Sequence, residues 1–570
     1  WQQERYPLVD PNALPVTLLD DAGGPVRIEV PLAGRTLCAQ VWVAQVGRVS
    51  LLLMDSDVEA NAGPERETTD RLYGGGVDHR LAQEVLLGIG GVRAIREYCR
   101  VTGHPAPEVF HTNEGHAGFL GLERIREYMA DGLDFETALE KNRAGTVFTT
   151  HTPVPAGIDR FPRELVADQF SSFGDLPLDR VIALGAEDYP GGDPSKFNMA
   201  VMGFRLGQRA NGVSLLHGEV SREMFRGLWS AFDTTEVPIS SITNGVHHPT
   251  WMHPELLELL ETSTPGDTVV DGYDWSALYD VDAAQIWSLK RRMRTDLIAM
   301  TRARLLESSA SRGLSTDWVA GVLDPDIITF GFARRVPSYK RLTLMLRDPQ
   351  RLKALLTDPE RPIQIVIAGK SHPADEGGKQ LIQQMVQFAD AADVRHRIVF
   401  LPNYDISMAR PLYPGCDVWM NNPLRPYEAC GTSGMKAALN GAANLSIRDG
   451  WWDEWFDPAY GWEIPSAEGL DDAARDDAEA RALYDIIETE IVPRFYDTDA
   501  EGLPQRWIQM MRDTVAGLGP KVLASRMVRD YVTQLYTPAT LSTRSVAAEA
   551  GGVAALTEWK QRVREGWADV

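Results

Sequence analysis

The sequence predicts an α/β protein built from two successive halves, and three observations support this prediction. Short β-branched apolar runs alternate with amphipathic helical stretches along most of the chain. The alternation starts afresh near residue 325. Glycine-rich, basic or histidine-containing segments directly follow several of the apolar runs. Strands that alternate with helices are typical of parallel sheets, and ligands bind such sheets beyond the carboxyl ends of the strands.

The first series of elements lies in the N-terminal half. The runs Val49–Met54 ("VSLLLM"), Val109–His111 and Thr146–His151 ("TVFTTH") are predicted to be strands of this series. The stretch "AGFLGLERIREYMADG" predicts a helix between the second and third of them, because its apolar residues recur at helical spacing. This half is therefore predicted to form a parallel sheet, in which strands alternate with helices along the chain.

The second series begins at Asp326–Phe332 ("DIITFGF") and continues with "IQIVIAGK", "RIVFLPN" and "DVWMNN", each short and rich in β-branched residues. We therefore predict a first domain over 1–324, a second over 325–519, and a C-terminal helix and tail over 520–570 that packs back on the first. The acidic or Gly/Pro-containing segments 262–276 and 464–482 are predicted to be surface loops.

Charge and composition exclude several classes of protein. A net charge of −23 argues against nucleic-acid or anionic-membrane partners, because both require a basic surface. No apolar run reaches the length of about 18 residues that a transmembrane helix needs, and no signal peptide is expected from the sequence. The four cysteines are far apart, so neither a zinc motif nor a disulfide framework is expected. We expect a cytoplasmic protein, whose natural N-terminus precedes Trp1.

One glycine-rich turn separates the strand "DVWMNN" from the helical run "GMKAALNGAANL". Glycines there let the backbone approach a ligand closely, and free N–H groups at a helix start attract phosphate. Lys436, just inside the helix, can carry positive charge or form an imine with an aldehyde. Glu428, on the other side of the turn, can accept hydrogen bonds from hydroxyl groups. Simple packing of the turn is the alternative interpretation.

A basic segment, "GFARRVPSYKRL", follows the strand "IITFGF". Its four cations are Arg334, Arg335, Lys340 and Arg341, which is a local exception in an acidic protein. Cations at a helix N-terminus oppose the helix dipole, so a solvated helix start explains them poorly. We predict a phosphate or other oxyanion site between them.

Histidines end two further apolar runs. His151 follows "TVFTT" and precedes a proline-rich turn, and "VFHTNEGHAGF" contains His111, Glu114 and His116. Their spacing differs from H-E-x-x-H and is not expected to place them on one helix face, so no metal site is predicted. The segment "SSITNGVHHPTW" adds Asn244 in a polar turn, suited either to recognising hydroxyl groups or to turning the chain.

Six segments in chain order resemble those of the α-glucan (glycogen or maltodextrin) phosphorylase family. They are "NEGHAGF", "FTTHTPVPAG", "NGVSLLHGEVS", "TNGVHHPTW", "RRVPSYKR" and "EACGTSGMKAALNG". The resemblance extends from about residue 65 to the C-terminal region and is closer to the shorter bacterial and archaeal branch. It implies a GT-B fold, in which two Rossmann-like domains face each other across a cleft.

The resemblance also implies an activity and a cofactor. The family removes terminal α-1,4-linked glucose by phosphorolysis and releases glucose 1-phosphate with retention of configuration. Pyridoxal phosphate assists by exchanging a proton with the substrate phosphate, which fits the second pKa of a phosphate monoester near 6. The partners implied are α-1,4-glucan, inorganic phosphate and a second copy of the chain. The residues implied to bind the cofactor are Lys436, which forms the imine, with Arg334, Thr432, Ser433, Gly434 and Tyr404.

The remaining implied roles concern the substrates. The resemblance assigns substrate phosphate to Arg335 and Lys340, and the glucose 2- and 3-hydroxyl groups to Tyr339 and Glu428. The backbone at Cys430 and Gly431 supplies further N–H donors, and His151 and Asn244 contact the 6-hydroxyl group. Among all these residues, the implied catalytic ones are Lys436, Arg335, Lys340, Glu428 and His151.

Some features depart from the family pattern. Arg334 stands where many members have Lys, and both Asp405 and Pro337–Ser338 replace other residues. The family's N-G-G-L-G loop is not found, and we expect the first domain to begin downstream of it. Two alternative functions remain open: a sugar-nucleotide glycosyltransferase of the same fold, in which Lys436 stays unmodified, and a glucan-binding form without turnover.

Overall fold

The computed structural model describes residues 9–71, 74–171, 173–261, 269–335, 338–372, 375–548 and 552–567. The described residues form two compact units. The first unit contains residues 9–213, 218–242 and 530–567, and the second unit contains residues 214–217 and 243–529.

The first unit contains a parallel sheet and an antiparallel sheet. The parallel sheet has the strand order β12-β11-β8-β7, and in the antiparallel sheet β5 pairs with β1, β4 and β6. Two smaller strand pairs, β2 with β3 and β9 with β10, complete the unit. Its strands are β1 (Thr17–Leu18), β2 (Asp20–Asp21), β3 (Gly24–Pro25), β4 (Arg27–Leu32), β5 (Arg35–Val46), β6 (Val49–Asp55), β7 (Phe110–Asn113), β8 (Thr146–Thr149), β9 (Arg160–Pro162), β10 (Lys196–Asn198), β11 (Arg209–Gly212) and β12 (Ile239–Ser241).

The second unit is built on a six-stranded parallel sheet with the order β17-β16-β15-β18-β19-β20. Numbered along the chain this is 3-2-1-4-5-6, the Rossmann order, and its topological switch point lies between β15 and β18. The strands of this unit are β13 (Val269–Val270), β14 (Tyr273–Asp274), β15 (Ile328–Arg335), β16 (Ile363–Lys370), β17 (Ile398–Pro402), β18 (Val418–Asn421), β19 (Ala443–Ile447) and β20 (Gly461–Ile464).

Helices cover the sheets and form the C-terminal region. In chain order they are α1 (Gly63–Arg66), α2 (Val77–Val85), α3 (Gly91–Thr102), α4 (Leu120–Ala130), α5 (Phe135–Ala144), α6 (Arg163–Phe170), α7 (Leu178–Gly185), α8 (Met199–Leu206), α9 (Leu215–Met224), α10 (His248–Trp251), α11 (Pro254–Glu258), α12 (Ala283–Ser311), α13 (Pro349–Thr357), α14 (Glu376–Ala389), α15 (Ile406–Gly415), α16 (Thr432–Ala438), α17 (Trp451–Trp455), α18 (Asp472–Ile486), α19 (Val492–Tyr496), α20 (Gln505–Leu518), α21 (Ala524–Tyr531), α22 (Thr537–Ala548) and α23 (Gly552–Gly566). Among the residues described, no helix is both long and apolar enough to cross a membrane.

Both faces of the six-stranded sheet are buried. On one face, Phe330 and Phe332 of β15 belong to a core that includes Ile365 of β16. On the opposite face, Val366 and Ala368 of the same strand β16 pack in a second core. Burial on two faces is typical of parallel sheets and explains why these strands are almost continuously apolar in sequence.

The α/β fold class predicted from the sequence is confirmed, as are the four strands of the second series. The strand predicted at Val49–Met54 does not join the parallel sheet, however. It forms β6, which pairs antiparallel with β5 across a two-residue connection from Val46 to Val49. The short connection decides this, because parallel neighbours need a crossover of a dozen or more residues.

The predicted domain bounds, 1–324, 325–519 and 520–570, stay predictions. The main segment of the second unit covers residues 243–529, and within it α12 packs against α15. Of the predicted loops, residues 262–268 lie outside the described residues, while α18 already begins at Asp472, where the side chain of Asp471 caps it. The helices α22 and α23 pack against α5 in the first unit.

Candidate functional site

Several of the site residues predicted from the sequence lie at the switch point of the second unit. The strand β15 ends in Arg334 and Arg335, and β18 lies beside it and leads into the segment that contains Glu428 and Lys436. Because the carboxyl ends of adjacent parallel strands share one edge of the sheet, residues about 90 positions apart in sequence meet there. The motif residues Val336 and Pro337 lie outside the described residues.

Glu428 lies at the centre of an ion-pair cluster. Its buried carboxylate pairs with Lys340 of the basic segment, and its Oε2 atom also lies 3.3 Å from a terminal nitrogen of Arg334. Burial alone favours the protonated carboxyl, but the two cations outweigh it and hold the pKa of Glu428 below its usual range. Burial lowers the pKa of Lys340 to about 8, against the attraction of Glu428. Both groups are therefore charged at neutral pH.

The four cations of the basic segment have different surroundings. Arg334 is mostly buried, and its Nε atom has no hydrogen-bond partner. Arg335 is exposed at the end of β15. Arg341 donates to the carbonyl oxygens of Asn422 and Pro423, each at 2.9 Å, so it holds the segment after β18. Arg341 is therefore occupied within the protein, and the oxyanion site at Arg334, Arg335 and Lys340 stays a prediction.

The glycine-rich turn begins α16. Gly431 precedes the helix with φ +88°, a left-handed conformation that favours glycine, and it offers no capping side chain. The first N–H groups of the helix, at Thr432, Ser433 and Gly434, therefore have no side-chain cap from that position. The Ser433 hydroxyl oxygen lies 3.5 Å from Arg334 and accepts a hydrogen bond of 3.2 Å from the indole of Trp419. Backbone and side-chain donors thus converge at one turn.

Lys436 has an aromatic environment. Its Nζ atom lies 3.9 Å from the ring centroid of Trp251 and 5.5 Å from that of Tyr413. Burial lowers the pKa of Lys436, which favours the neutral, nucleophilic amine. Tyr404 joins the same cluster, because its hydroxyl group lies 2.9 Å from that of Tyr413. The residues that the resemblance assigns to the cofactor therefore lie close together.

The residues assigned to glucose are brought together in part. Asn244 is half-buried, and its backbone N–H lies near the thiol of Cys430, whose pKa burial raises to about 12. Tyr339 accepts a backbone hydrogen bond from Leu424 at 2.9 Å, and burial raises the pKa of its hydroxyl to about 12. Tyr339 therefore stays protonated and can donate a hydrogen bond at neutral pH.

His151 belongs to the first unit, at the end of β8. Its backbone N–H donates to the carboxylate of Glu114 at 2.8 Å, and its ring lies 3.2 Å from the side chain of Asn113. Burial lowers its pKa, so the imidazole is neutral. The assigned role of His151 toward the sugar stays a prediction.

The histidine motif does not gather as one set of metal ligands. His111 bonds to Tyr536 and Thr149, whereas His116 lies 3.0 Å from Asp159. Three possible ligands, Glu84, His116 and Asp159, do lie within 4.8 Å of one another. The guanidinium of Arg80 already bonds to both carboxylates, at 3.0 and 2.9 Å, so this cluster contains its own cation.

Asp449 is a site residue that sequence reasoning missed. Its buried carboxylate accepts the backbone N–H groups of Glu428 and Gly450, at 3.0 and 2.8 Å, and so ties the Glu428 segment to the end of β19. Burial and the neighbouring Glu428 charge raise the pKa of Asp449 to about 8. Its position after the apolar run "AANLSI", at a strand end, is the signal that could have identified it.

The chain is similar to several known proteins. A family model described as carbohydrate phosphorylase matches residues 190–454. The chain is 59% identical to a glycogen phosphorylase of Mycobacterium tuberculosis, over 100% of the chain and 67% of that protein. It is 37% identical to a maltodextrin phosphorylase of Thermococcus litoralis, over 99% of the chain and 67% of that protein. A glycogen phosphorylase of Aquifex aeolicus is 36% identical, over 94% of the chain and 77% of that protein.

Proposed function

The chain belongs to the carbohydrate phosphorylase family, and from this premise we propose that it catalyses phosphorolysis of terminal α-1,4-linked glucose in glycogen or maltodextrin. The products are glucose 1-phosphate, with retained α configuration, and a glucan shortened by one unit. The observation that carries the proposal is the ion-pair cluster of Arg334, Lys340 and Glu428 at the switch point of the second unit, next to the turn that leads into the helix of Lys436.

The residues around α16 fit pyridoxal phosphate. An amine with a lowered pKa, on Lys436, lies in an aromatic environment suited to a flat pyridine ring. The buried Nε atom of Arg334 has no partner, and the first N–H groups of α16 have no side-chain cap. Such donors select an oxyanion. We assign covalent attachment to Lys436, and retention of the cofactor phosphate to Arg334, Thr432, Ser433 and Gly434.

When bound, the cofactor supplies a phosphate group whose second pKa lies near neutrality, suited to acid–base chemistry. A second phosphate beside it would be repelled strongly, so fixed cations are required. Arg335, exposed at the end of β15, and Lys340 are assigned to the substrate phosphate. Lys340 holds its proton below about pH 8 and so remains a cation at the pH where phosphate binds.

Glu428 is assigned to the glucose hydroxyl groups. Because its carboxylate stays ionised, it accepts hydrogen bonds from hydroxyl groups and does not serve as a proton donor. Tyr339, whose hydroxyl stays protonated, is the complementary donor. Backbone N–H groups at Cys430 and Gly431 and the side chain of Asn244 complete the sugar contacts proposed within the second unit.

An absorbance spectrum of the purified chain loaded with pyridoxal phosphate tests the proposal. We expect a band from the covalently bound cofactor, fixation by borohydride, and a mass increment that maps to Lys436. Glucose 1-phosphate should then appear only when glucan and inorganic phosphate are both present. A chain that leaves Lys436 unmodified and transfers glucose from a sugar nucleotide would favour the alternative glycosyltransferase instead. Glucan binding without turnover would favour the alternative binding form.

A further inference from the structure

The hydroxyl group of Ser433 has an unusual set of neighbours. Its oxygen accepts the indole N–H of Trp419 at 3.2 Å and faces a terminal nitrogen of Arg334 at 3.5 Å. Neither an indole N–H nor a guanidinium can accept a hydrogen bond. The proton of the Ser433 hydroxyl therefore cannot be donated to either neighbour.

A hydroxyl group has one proton to donate and two lone pairs that accept. With Trp419 and Arg334 facing the lone pairs, the O–H bond of Ser433 is left to point at a third group, which must be an acceptor. Beside this hydroxyl lies the mostly buried guanidinium of Arg334, whose Nε atom has no hydrogen-bond partner, and an oxyanion is the acceptor that such a set of donors selects.

The indole of Trp419 is held in one position. Trp419 is fully buried on β18, and its ring packs on that of Tyr413 with centroids 4.7 Å apart. On the neighbouring strand, Gly331 lies opposite Trp419, and a Cβ atom there would come within 2.9 Å of the indole ring. Only glycine at that position leaves room for the ring. The N–H of Trp419 is thus a fixed donor.

We propose that Trp419 is a positioning residue for the cofactor: by occupying one lone pair of Ser433, it aims the Ser433 hydroxyl proton at the phosphate group of pyridoxal phosphate. This rests on the proposed function, because the phosphate group is that of the family's cofactor. Trp419 itself touches neither cofactor nor substrate, and acts through Ser433 alone.

The test measures cofactor binding by the full chain, with two probes: pyridoxal phosphate and pyridoxal, which lacks the phosphate group. In Trp419→Phe the ring is largely kept and the N–H is lost. We expect its Kd for pyridoxal phosphate to rise about tenfold, since one hydrogen bond to a charged group is lost or misdirected, and its Kd for pyridoxal to stay unchanged. Ser433→Ala should show the same pattern.

The double variant decides whether Trp419 acts through Ser433. We expect Trp419→Phe combined with Ser433→Ala to bind pyridoxal phosphate no more weakly than Ser433→Ala alone. The matched control is Trp507→Phe, because Trp507 is equally buried in the second unit and its indole N–H has no hydrogen-bond partner. That control should bind both probes like the parent chain.

Several results would overturn the inference. Losses that multiply in the double variant would show that Trp419 acts independently of Ser433. Equal losses for pyridoxal and pyridoxal phosphate would show that Trp419 only packs beside the ring. If Trp419→Phe fails to fold, an unchanged pyridoxal phosphate affinity in Ser433→Ala refutes the idea by itself. A parent chain that binds neither probe at Lys436 would instead refute the proposed function.

Discussion

Replacing Glu428 by Gln removes the negative charge that Lys340 and Arg334 share, while keeping the shape of the side chain. At 3.3 Å and an effective dielectric constant of about 20, two unit charges interact by about 5 kcal/mol. Removing one partner of a buried pair commonly costs about 3–5 kcal/mol, because the remaining charge stays buried without compensation. The variant therefore leaves two buried cations that a dianion can neutralise.

We expect two opposite effects in Glu428→Gln. The Kd for inorganic phosphate should fall at least about tenfold, which corresponds to about 1.4 kcal/mol. This energy is a modest part of the attraction between Glu428 and its two cations that the substitution removes. The kcat/KM for glucan should fall by about 10- to 100-fold, the range for losing one hydrogen bond to a charged acceptor. Cofactor content should not change, since Lys436 and Arg334 remain.

Phosphate affinity is measured by titration calorimetry on the cofactor-loaded chain, and turnover by the initial rate of glucose 1-phosphate release. Asp453→Asn is the matched control, because Asp453 pairs with Arg425 in the same unit and not with the phosphate-site cations. Unchanged or weaker phosphate binding in Glu428→Gln would refute the competition between carboxylate and phosphate. Loss of the cofactor would remove Glu428 from the sugar site altogether.

Four further predictions concern the neighbouring residues. Lys436→Ala should abolish cofactor retention, seen as loss of the absorbance band, and a fully active variant would contradict the central assignment. Arg335→Ala should raise the KM for phosphate at least about tenfold and leave the KM for glucan nearly unchanged, whereas equal increases would argue against its role. Since the protonated form of Lys340 binds phosphate, activity should decline as pH rises through about 8. In Lys340→Arg the decline on the alkaline side of the pH–activity profile should shift to higher pH by at least about one pH unit. The free energy of unfolding should change in the opposite direction. Between about pH 8 and pH 10.4 the unfolded chain binds more protons at Lys340 than the folded chain does, so the free energy of unfolding increases as pH rises.

Residues close in sequence were the most predictable part of the site. Glu428, the turn at Gly431 and Lys436 lie within nine residues, and a strand followed by a helical run predicts their common location. Asp449 and Trp419 were not predictable in the same way. Their roles depend on single hydrogen bonds, to Glu428 N–H and to the Ser433 hydroxyl, which no spacing in the sequence specifies.

The sequence by itself determined the α/β class and the strands of the second series, because strands buried on two faces must be apolar throughout and end abruptly. Only the tertiary structure decided that β15 and β18 are neighbours, and hence that Arg334 and Lys340 meet Glu428. It also placed Val49–Asp55 in an antiparallel pair. Strand order and pairing depend on contacts between distant segments, and a local hydrophobic pattern is the same whichever neighbour a strand takes.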